Sequence, residues 1–167
     1  LGLVKTSDAT RGGDDTITTG LDKDIIFGGV GNDDIVANSG ELYVRTGSTA
    51  TWDNDNIVLG DHGYLDWTAA DAGRSYVFSA GDDTLSNDID RIVSTDPKFG
   101  GNDNITTGAF NDIVIGGFGG DVTVAGDGNN LGLGDHGQIT AAGENAPNFS
   151  TQPITLGLVE TIESLIG

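Results

Sequence analysis

The sequence contains no cysteine and no methionine, and only three prolines among its 167 residues. Without cysteine, no disulfide can hold the fold together and no thiol chemistry is available. Twenty-eight glycines alongside so little proline argue against collagen and proline-rich linkers, and favour a chain with many tight turns. No apolar run approaches the roughly 20 residues that a membrane span requires. The chain opens on Leu1 without a visible signal peptide, so we expect a piece of a longer protein.

Basic residues are also scarce. Seven Lys and Arg stand against 26 Asp and Glu, which gives a formal net charge of −19. Binding nucleic acid requires a basic surface, so this balance excludes it as a partner. So much negative charge opposes compaction by self-repulsion, and bound cations would relieve that repulsion. The alternative is that the acidic residues only keep the surface soluble.

The acidic residues recur at a fixed spacing. Near the start of the chain they lie nine residues apart, at Asp15, Asp24 and Asp33, each followed two positions later by isoleucine. The spacing breaks and resumes at Asn56, as expected if an insertion of fourteen residues lies between. A second, uninterrupted series occupies Asp103, Asp112, Asp121 and Asn130. An LGDHG segment closes each series, at 59–63 and at 133–137.

Longer repeats enclose these series. The segment GGDDTITTG at 12–20 returns 88 residues later as GGNDNITTG at 100–108. The segment LGLV at Leu1 returns 155 residues later at Leu156. The chain therefore spans slightly more than one 155-residue repeat, which contains two unequal sub-repeats of 88 and 67 residues. Such self-similarity is typical of arrays and solenoids.

A nine-residue unit accommodates a turn of about six residues and a strand of about three, with glycine supplying the positive φ of the turn. Two units make one coil, which pairs Asp15 with Asp33, Asp24 with Asn56, Asp103 with Asp121, and Asp112 with Asn130. Stacked carboxylates repel each other unless a cation lies between them. Calcium accepts carboxylate and backbone carbonyl ligands in irregular geometry, whereas zinc prefers His or Cys. The alternative for each aspartate is an Asx turn that caps its own backbone.

The segment GGVGNDDIV at 28–36 resembles the GGxGxDxUx nonapeptide of RTX proteins. The resemblance covers 12–40, 54–63 and 100–137, roughly half of the chain. It implies a parallel β-roll that calcium folds, as in secreted toxins, proteases and adhesins. The implied ligands are the aspartates at 15, 24, 33, 103, 112 and 121, the weaker Asn56 and Asn130, and the turn carbonyls of Gly13, Gly31, Gly101 and Gly119. The chain departs from the motif where Asp22, Asn54 and Phe110 replace glycine, and Lys23 precedes Asp24.

These patterns predict an all-β fold with two short parallel β-roll (solenoid) blocks and with inserted and connecting antiparallel hairpins, as part of a repeat array. The expected divisions are a preceding strand at 1–11, a first block at 12–63 with a hairpin insertion at 39–52, connecting strands at 64–99, a second block at 100–137, and connecting strands at 138–167. Within the connecting segments we expect two strands around a turn at 63–81, and short strands over Arg91 to Ser94 and over Thr155 to Val159. The inward column would be Ile17, Ile26, Ile35, Val58, Ile105, Val114, Thr123 and Gly132. On the opposite face, Phe27, Val36, Leu59, Ile115, Val124 and Leu133 would need a cover.

The function that this fold favours is structural. We expect a calcium-binding repeat module of a secreted or cell-surface protein, such as an adhesin, an extracellular fibre or an S-layer-like matrix. Its partners would be neighbouring copies joined end to end, in a homopolymer or fibre. One alternative is a surface- or glycan-binding module, including an ice-binding one, because the segments TITTG at 16–20 and NITTG at 104–108 place threonines outward. A polysaccharide-modifying enzyme is disfavoured because the acidic residues follow a fixed spacing, whereas active sites break symmetry.

Overall fold

The computed structural model describes residues 2–39, 54–68, 88–142 and 146–162, and within these ranges the fold is all-β, without a helix. Its strands are β1 (Leu3–Lys5), β2 (Thr16–Thr18), β3 (Ile25–Phe27), β4 (Asp34–Val36), β5 (Ile57–Leu59), β6 (Gly63–Asp66), β7 (Arg91–Ser94), β8 (Asn104–Gly108), β9 (Ile113–Gly117), β10 (Val122–Ala125), β11 (Leu131–Asp135), β12 (Gly137–Thr140) and β13 (Leu158–Thr161). The described ranges accordingly contain no helix that could cross a membrane. Apart from Ser39, the hairpin expected at 39–52 lies outside the described residues, as does the second strand expected within 64–81.

The strands form three sheets. A front sheet has the order β10-β8-β4-β2 and a back sheet the order β11-β9-β5-β3, and both are parallel. Successive strands along the two nonapeptide series alternate between these sheets. A cover sheet has the order β1-β6-β7-β12-β13 and is antiparallel throughout.

The two nonapeptide series share both parallel sheets. Strand β4 of the first series pairs with β8 of the second, with Ile35 opposite Ile105. Strand β5 pairs with β9 in the same way, with Val58 opposite Val114. The sequence patterns predict two separate blocks, but these pairings join the two series in the same pair of parallel sheets.

A first core lies between the front and back sheets. It contains Ile17, Ile26, Ile35, Ala37, Val58, Ile105 and Val114, which confirms most of the expected inward column. Each fully buried aliphatic side chain here stabilises the fold by about 1.5–3 kcal/mol. Thr123 and Gly132 end the column and are exposed, so this core tapers at the last pass of the chain.

A second core lies between the back sheet and the cover sheet. Leu59 and Ile115 of the back sheet pack there with Leu65, Ile92 and Ile139 of the cover sheet. This confirms that the outer face of the back sheet needs a cover, which the connecting strands provide. Val36 and Val124 lie in the front sheet, outside this second core, and Val124 is 57% exposed, so the cover expected for these two residues is wrong. The reason is that equivalent positions in successive nonapeptides fall alternately in the two parallel sheets, and the cover sheet meets only one of them.

The connecting strands agree with the sequence pattern in part. The strand expected over Arg91 to Ser94 is β7. The strand expected over Thr155 to Val159 begins later, at Leu158, and ends at Thr161. Thr155 instead forms an isolated bridge to Asn148, and its hydroxyl bonds both backbone groups of Ala142.

Candidate metal centre

The expected aspartate pairs form one continuous ladder, called the carboxylate edge, that contains Asp15, Asp33, Asp103 and Asp121. The backbone N–H of Asp15 donates to Oδ1 of Asp33 at 2.8 Å. The N–H of Asp33 donates to Oδ1 of Asp103 at 2.8 Å, and that of Asp103 to Oδ1 of Asp121 at 2.9 Å. One oxygen of each of the last three carboxylates is therefore used to register adjacent turns.

The glycines of the motif allow these turns to stack closely. Gly31 and Gly119 have φ values of 135° and 132°, a region that residues with a side chain rarely adopt. A Cβ on Gly31 would collide with the backbone of Gly13, and one on Gly119 with the carbonyl oxygen of Gly101. A Cβ on Gly101 would likewise collide with the carbonyl oxygen of Gly31. The four predicted carbonyl donors thus form one column in the same turns as the carboxylate edge.

The second oxygen of each of these three carboxylates is buried but accepts no hydrogen bond from the described residues. These atoms are Oδ2 of Asp33, Asp103 and Asp121. A buried carboxylate oxygen without a donor is costly. The unmet acceptors therefore fall at three successive steps of one column.

Backbone carbonyls lie beside these oxygens. A Cβ on Gly28 would collide with both the carbonyl oxygen of Gly60 and Oδ2 of Asp33. The same arrangement repeats in the next two turns, where a Cβ on Gly60 would meet Gly116 O and Asp103 Oδ2, and one on Gly116 would meet Gly134 O and Asp121 Oδ2. At each of these glycines, the two atoms nearest to the position of a Cβ are a carbonyl oxygen and a carboxylate oxygen. Oxygen donors of this kind suit a hard divalent cation such as calcium.

The burial of these carboxylates also raises their pKa values. Burial raises the pKa of Asp103 to about 6, and the neighbouring carboxylates of Asp121 and Asp33 add to the rise. Burial also raises the pKa of Asp33 and of Asp121 above the ordinary value for aspartate. The fold therefore holds these groups where their negative charge is unfavourable unless a cation compensates it.

The other predicted residues form a second ladder, called the mixed edge, that contains Asp24, Asn56, Asp112 and Asn130. Its backbone N–H groups donate along the column, from Asp24 to Asn56 Oδ1 at 3.1 Å, from Asn56 to Asp112 Oδ1 at 2.8 Å, and from Asp112 to Asn130 Oδ1 at 2.9 Å. Pairing along this edge thus agrees with the sequence pattern.

Protein donors occupy most of the mixed edge. Nδ2 of Asn56 donates to the carbonyl oxygen of Thr107 at 3.1 Å, and the hydroxyl of Thr107 donates to Oδ2 of Asp112 at 2.7 Å. Nδ2 of Asn130 donates to Gly126 O at 2.9 Å. On this edge the asparagine amides thus have acceptors within the protein itself. Asp24 is the exception, because its Oδ2 is buried without a partner among the described residues.

Side chains from outside the nonapeptides reinforce the mixed edge. Lys23 pairs with Asp55 at 3.2 Å and also donates to the carbonyl oxygen of Thr151 at 2.8 Å. Gln152 is fully buried, and its Nε2 donates to the carbonyl oxygens of Asn56 at 3.0 Å and Asn111 at 2.6 Å. The two edges are therefore chemically different, and the carboxylate edge is the stronger candidate for metal.

Sequence reasoning missed Asp61, which lies in the first GDHG turn. Its side chain is buried, with Oδ1 accepting from the N–H of Gly101 at 3.1 Å and Oδ2 accepting from the N–H of Phe118. Burial raises the pKa of Asp61 to about 8, and the charges of Asp103 and Asp121 contribute. The exact return of GDHG at 60–63 and 134–137 is the signal that could have identified it.

A metal site made of side chains alone is not found in the described ranges, where no group of three or more His, Asp and Glu residues converges on one point. The donor sets at the carboxylate edge differ from that type, because each contains one carboxylate oxygen and a glycine carbonyl. Calcium accepts such mixed sets, and water completes its coordination. The residues present therefore fit calcium better than a metal that needs several side-chain ligands.

The alternatives find less support in the site geometry. Ser94 Oγ lies 3.0 Å from Nδ1 of His136, but both residues are buried, and the hydroxyl also bonds the backbone of Gly137. The hydroxyl of Thr6 bonds Gly63 in the same way, so this contact is a repeated structural feature. In the front sheet, Thr18 and Thr106 are separated by Val36, so the described strands do not carry a continuous threonine column.

Comparison of the chain with protein-family models, with curated proteins and with solved structures gives no match.

Proposed function

We propose that this chain is a calcium-binding structural repeat module of a secreted or cell-surface protein, such as an adhesin, an extracellular fibre or an S-layer-like matrix. Its two parallel sheets and glycine-rich turns would form a β-roll of the RTX type within a repeat array. Calcium ions between the turns would fold and stiffen it. The module would have no catalytic activity of its own.

One observation carries this proposal. Buried Oδ2 atoms of Asp33, Asp103 and Asp121 have no partner in the described part of the chain, and each lies beside a glycine carbonyl oxygen. One calcium ion at each step would complete all of these acceptors. When bound, calcium supplies charge neutralisation and cross-links adjacent turns, while the chain itself provides the register through its Oδ1 ladder.

The net charge gives calcium control over folding. A formal charge of −19 disfavours the compact state, and ions that bind only the folded chain stabilise it by mass action. The chain would remain expanded where calcium is scarce and fold where it is abundant, as outside a cell. The proposal therefore places the module outside the cell.

The test is a calcium titration of the calcium-free chain followed by far-ultraviolet circular dichroism, with magnesium as the matched control. We expect a coil-to-β transition with calcium and none with magnesium, because magnesium demands stricter octahedral geometry and retains its waters. A chain that is fully folded in chelator, and whose spectrum and thermal midpoint do not respond to calcium, would contradict the proposal.

A further inference from the structure

The cover sheet repeats itself within the chain. Strand β7 is equivalent to β1 displaced by 88 residues, and β13 is equivalent to β7 displaced by 67 residues. Strand β12 is likewise equivalent to β6 displaced by 74 residues. The pairings follow the same displacements, since Val4 faces Leu65 in β6 as Ile92 faces Ile139 in β12.

Strand β7 shows how a strand of this class behaves when both of its edges are paired. On one side, the N–H that follows it, at Thr95, donates to the carbonyl oxygen of His62 at 2.9 Å. On the other side, the carbonyl oxygen of Asp90 accepts from the N–H of Ala141 at 2.8 Å. Because alternate residues of a strand direct their backbone groups to opposite edges, β7 uses one set for β6 and the other for β12.

Strand β7 thus pairs through the backbone groups of both its edges, whereas among the described residues β1 and β13 each pair through the groups of one edge only. In β13, the N–H that follows the strand, at Ile162, donates to the carbonyl oxygen of His136 at 2.8 Å, as Thr95 does to His62. In β1, the N–H of Thr6 donates to Gly63 O at 3.0 Å, and Gly2 O accepts from Trp67 at 2.8 Å, as Asp90 does from Ala141. The two strands are thus two halves of one doubly paired strand.

The residues on the other edge of β13 have partners in the equivalent strands. The alternation directs the N–H groups of Val159 and Thr161 away from β12. The residues equivalent to Thr161 are Ser94 and Thr6, whose hydroxyls bond both backbone groups of a glycine that opens the next strand. Thr161 itself is exposed.

The aspartates of the two GDHG turns, which lie outside the cover sheet, also differ in whether a following nonapeptide series supplies their partners. Asp61 is buried, and its carboxylate accepts from Gly101 and Phe118 in the nonapeptide series that follows. Its equivalent in the second GDHG turn, Asp135, is exposed. The residues of a following unit equivalent to the two donors would be copies of Gly13 and Val30.

The three sheets also advance in step. Among the described residues, each 155-residue period contributes four strands to the front sheet and four to the back sheet. If β1 and β13 count as one strand, it also contributes four to the cover sheet. At about 4.8 Å between neighbouring strands, each sheet would extend by roughly 19 Å per unit, so none falls out of register with the others.

We propose that β13 is a shared strand, whose second edge binds the strand equivalent to β6 in the following copy of the repeat. This inference rests on the tandem arrangement in the proposed function and specifies its partner and register. Val159 of one unit would lie opposite the next copy of Leu65, and the Asp135 carboxylate would accept from the next copies of Gly13 and Val30. Consecutive units would then form one continuous three-sheet stack without a linker.

The first test compares this chain with a two-copy chain in which residues 13–167 follow residue 167. Hydrogen exchange measured at single residues in calcium should show one of the two Val159 amides and one of the two Thr161 amides newly protected. All copies of Leu158 and Glu160 should be protected in both chains, because they face β12. Unprotected Val159 and Thr161 in both copies, or a two-copy chain less stable than the single one, would overturn the proposal.

The second test uses a matched pair of substitutions. Asp135→Ala at the junction should lower the thermal midpoint of the two-copy chain by several degrees but leave that of the single chain unchanged. Asp61→Ala should lower the midpoint of both chains, since its partners lie within each unit. Equal effects of Asp135→Ala in both chains would contradict strand sharing. Indifference to calcium would refute only the metal proposal, because the exchange pattern can be read in any folded chain.

Discussion

At the scale of single residues, the two oxygens of each of the last three carboxylates in the carboxylate edge have different roles. Oδ1 of Asp103 accepts the backbone N–H of Asp33, while Oδ2 is buried beside a glycine carbonyl without a protein donor. At the mixed edge, asparagine fills both roles, because Nδ2 of Asn56 donates to nearby carbonyl oxygens. The protein therefore satisfies Asn56 by itself, whereas it leaves the second oxygen of Asp103 for a cation.

Asp103→Asn should weaken calcium-dependent folding. The substitution keeps an acceptor for the Asp33 N–H but removes the charge and one ligand at Oδ2, so the calcium midpoint should rise at least about tenfold. The measurement is the calcium titration by circular dichroism. Asp34→Asn is the matched control, because Asp34 is an exposed neighbour of the same ladder and should leave the midpoint unchanged. Equal midpoints for both variants would remove Asp103 from the site.

The calcium-free chain should lose stability as the pH rises from about 5 to about 8. Burial raises the folded-state pKa of Asp103 to about 6 and of Asp61 to about 8, above the ordinary value of aspartate. The folded chain therefore holds more protons than the unfolded chain in this range, and its free energy of unfolding falls as those protons leave. Asp55, whose pKa is lowered, acts only at more acidic pH. His136, whose pKa burial lowers, binds fewer protons in the folded chain and opposes the trend in the lower part of this range.

Far-ultraviolet circular dichroism in chelator at the two pH values measures this effect. Any β signal of the calcium-free chain should be weaker at pH 8, and added calcium should restore it there, because the ion takes over the compensation that protons provide at pH 5. Asp61→Asn should flatten the dependence, since it removes the group that titrates highest. A β signal that grows between pH 5 and pH 8 would show that these carboxylates are not strained in the folded chain.

At the scale of elements, the sequence predicts strands, pairs and inward residues because the nine-residue spacing fixes all three together. The pairs Asp15 with Asp33 and Asp112 with Asn130 agree with the structure, as does strand β7. The spacing does not reveal that the first series continues into the second, because the contact between β4 and β8 joins residues 70 apart with no local signal. Asp61 was missed for the same reason, since its partners are distant in sequence.

Gly119→Ala should destabilise the fold strongly. Gly119 has a φ of 132°, and a Cβ there would collide with the carbonyl oxygen of Gly101. Strain and overpacking together should cost at least about 2 kcal/mol in the free energy of unfolding, measured by urea denaturation in calcium. Gly13→Ala is the control from the same motif position, because a Cβ on Gly13 has no atom within 4 Å. If both variants unfold alike, close stacking does not determine the glycine pattern.

At the scale of the whole molecule, charge and burial oppose each other. Two hydrophobic cores favour the compact chain, one between the parallel sheets and one beneath the cover sheet. The formal charge of −19 favours expansion. Composition alone therefore predicts sensitivity to cations, but only the structure identifies the turns where the acceptors are buried.

Small-angle X-ray scattering should record this balance as a change in size. For 167 residues, the radius of gyration should be about 15 Å when compact and about 43 Å when expanded. We expect the larger value in chelator and a value near the smaller one in calcium, at the concentration where the dichroism changes. Sodium chloride at equal ionic strength is the control, because it screens charge without filling the turns. Contraction by salt alone would assign the effect to general screening.

The internal repetition of the cover sheet has a consequence for how such a chain can grow. The 88-residue and 67-residue sub-repeats differ by 21 residues, yet their described strands keep equivalent pairings, so the extra residues lie outside the described strands. A 67-residue half already contains two strands for every sheet. Duplication of this half in the gene would add two complete strands to every sheet, and no core residue would need to change.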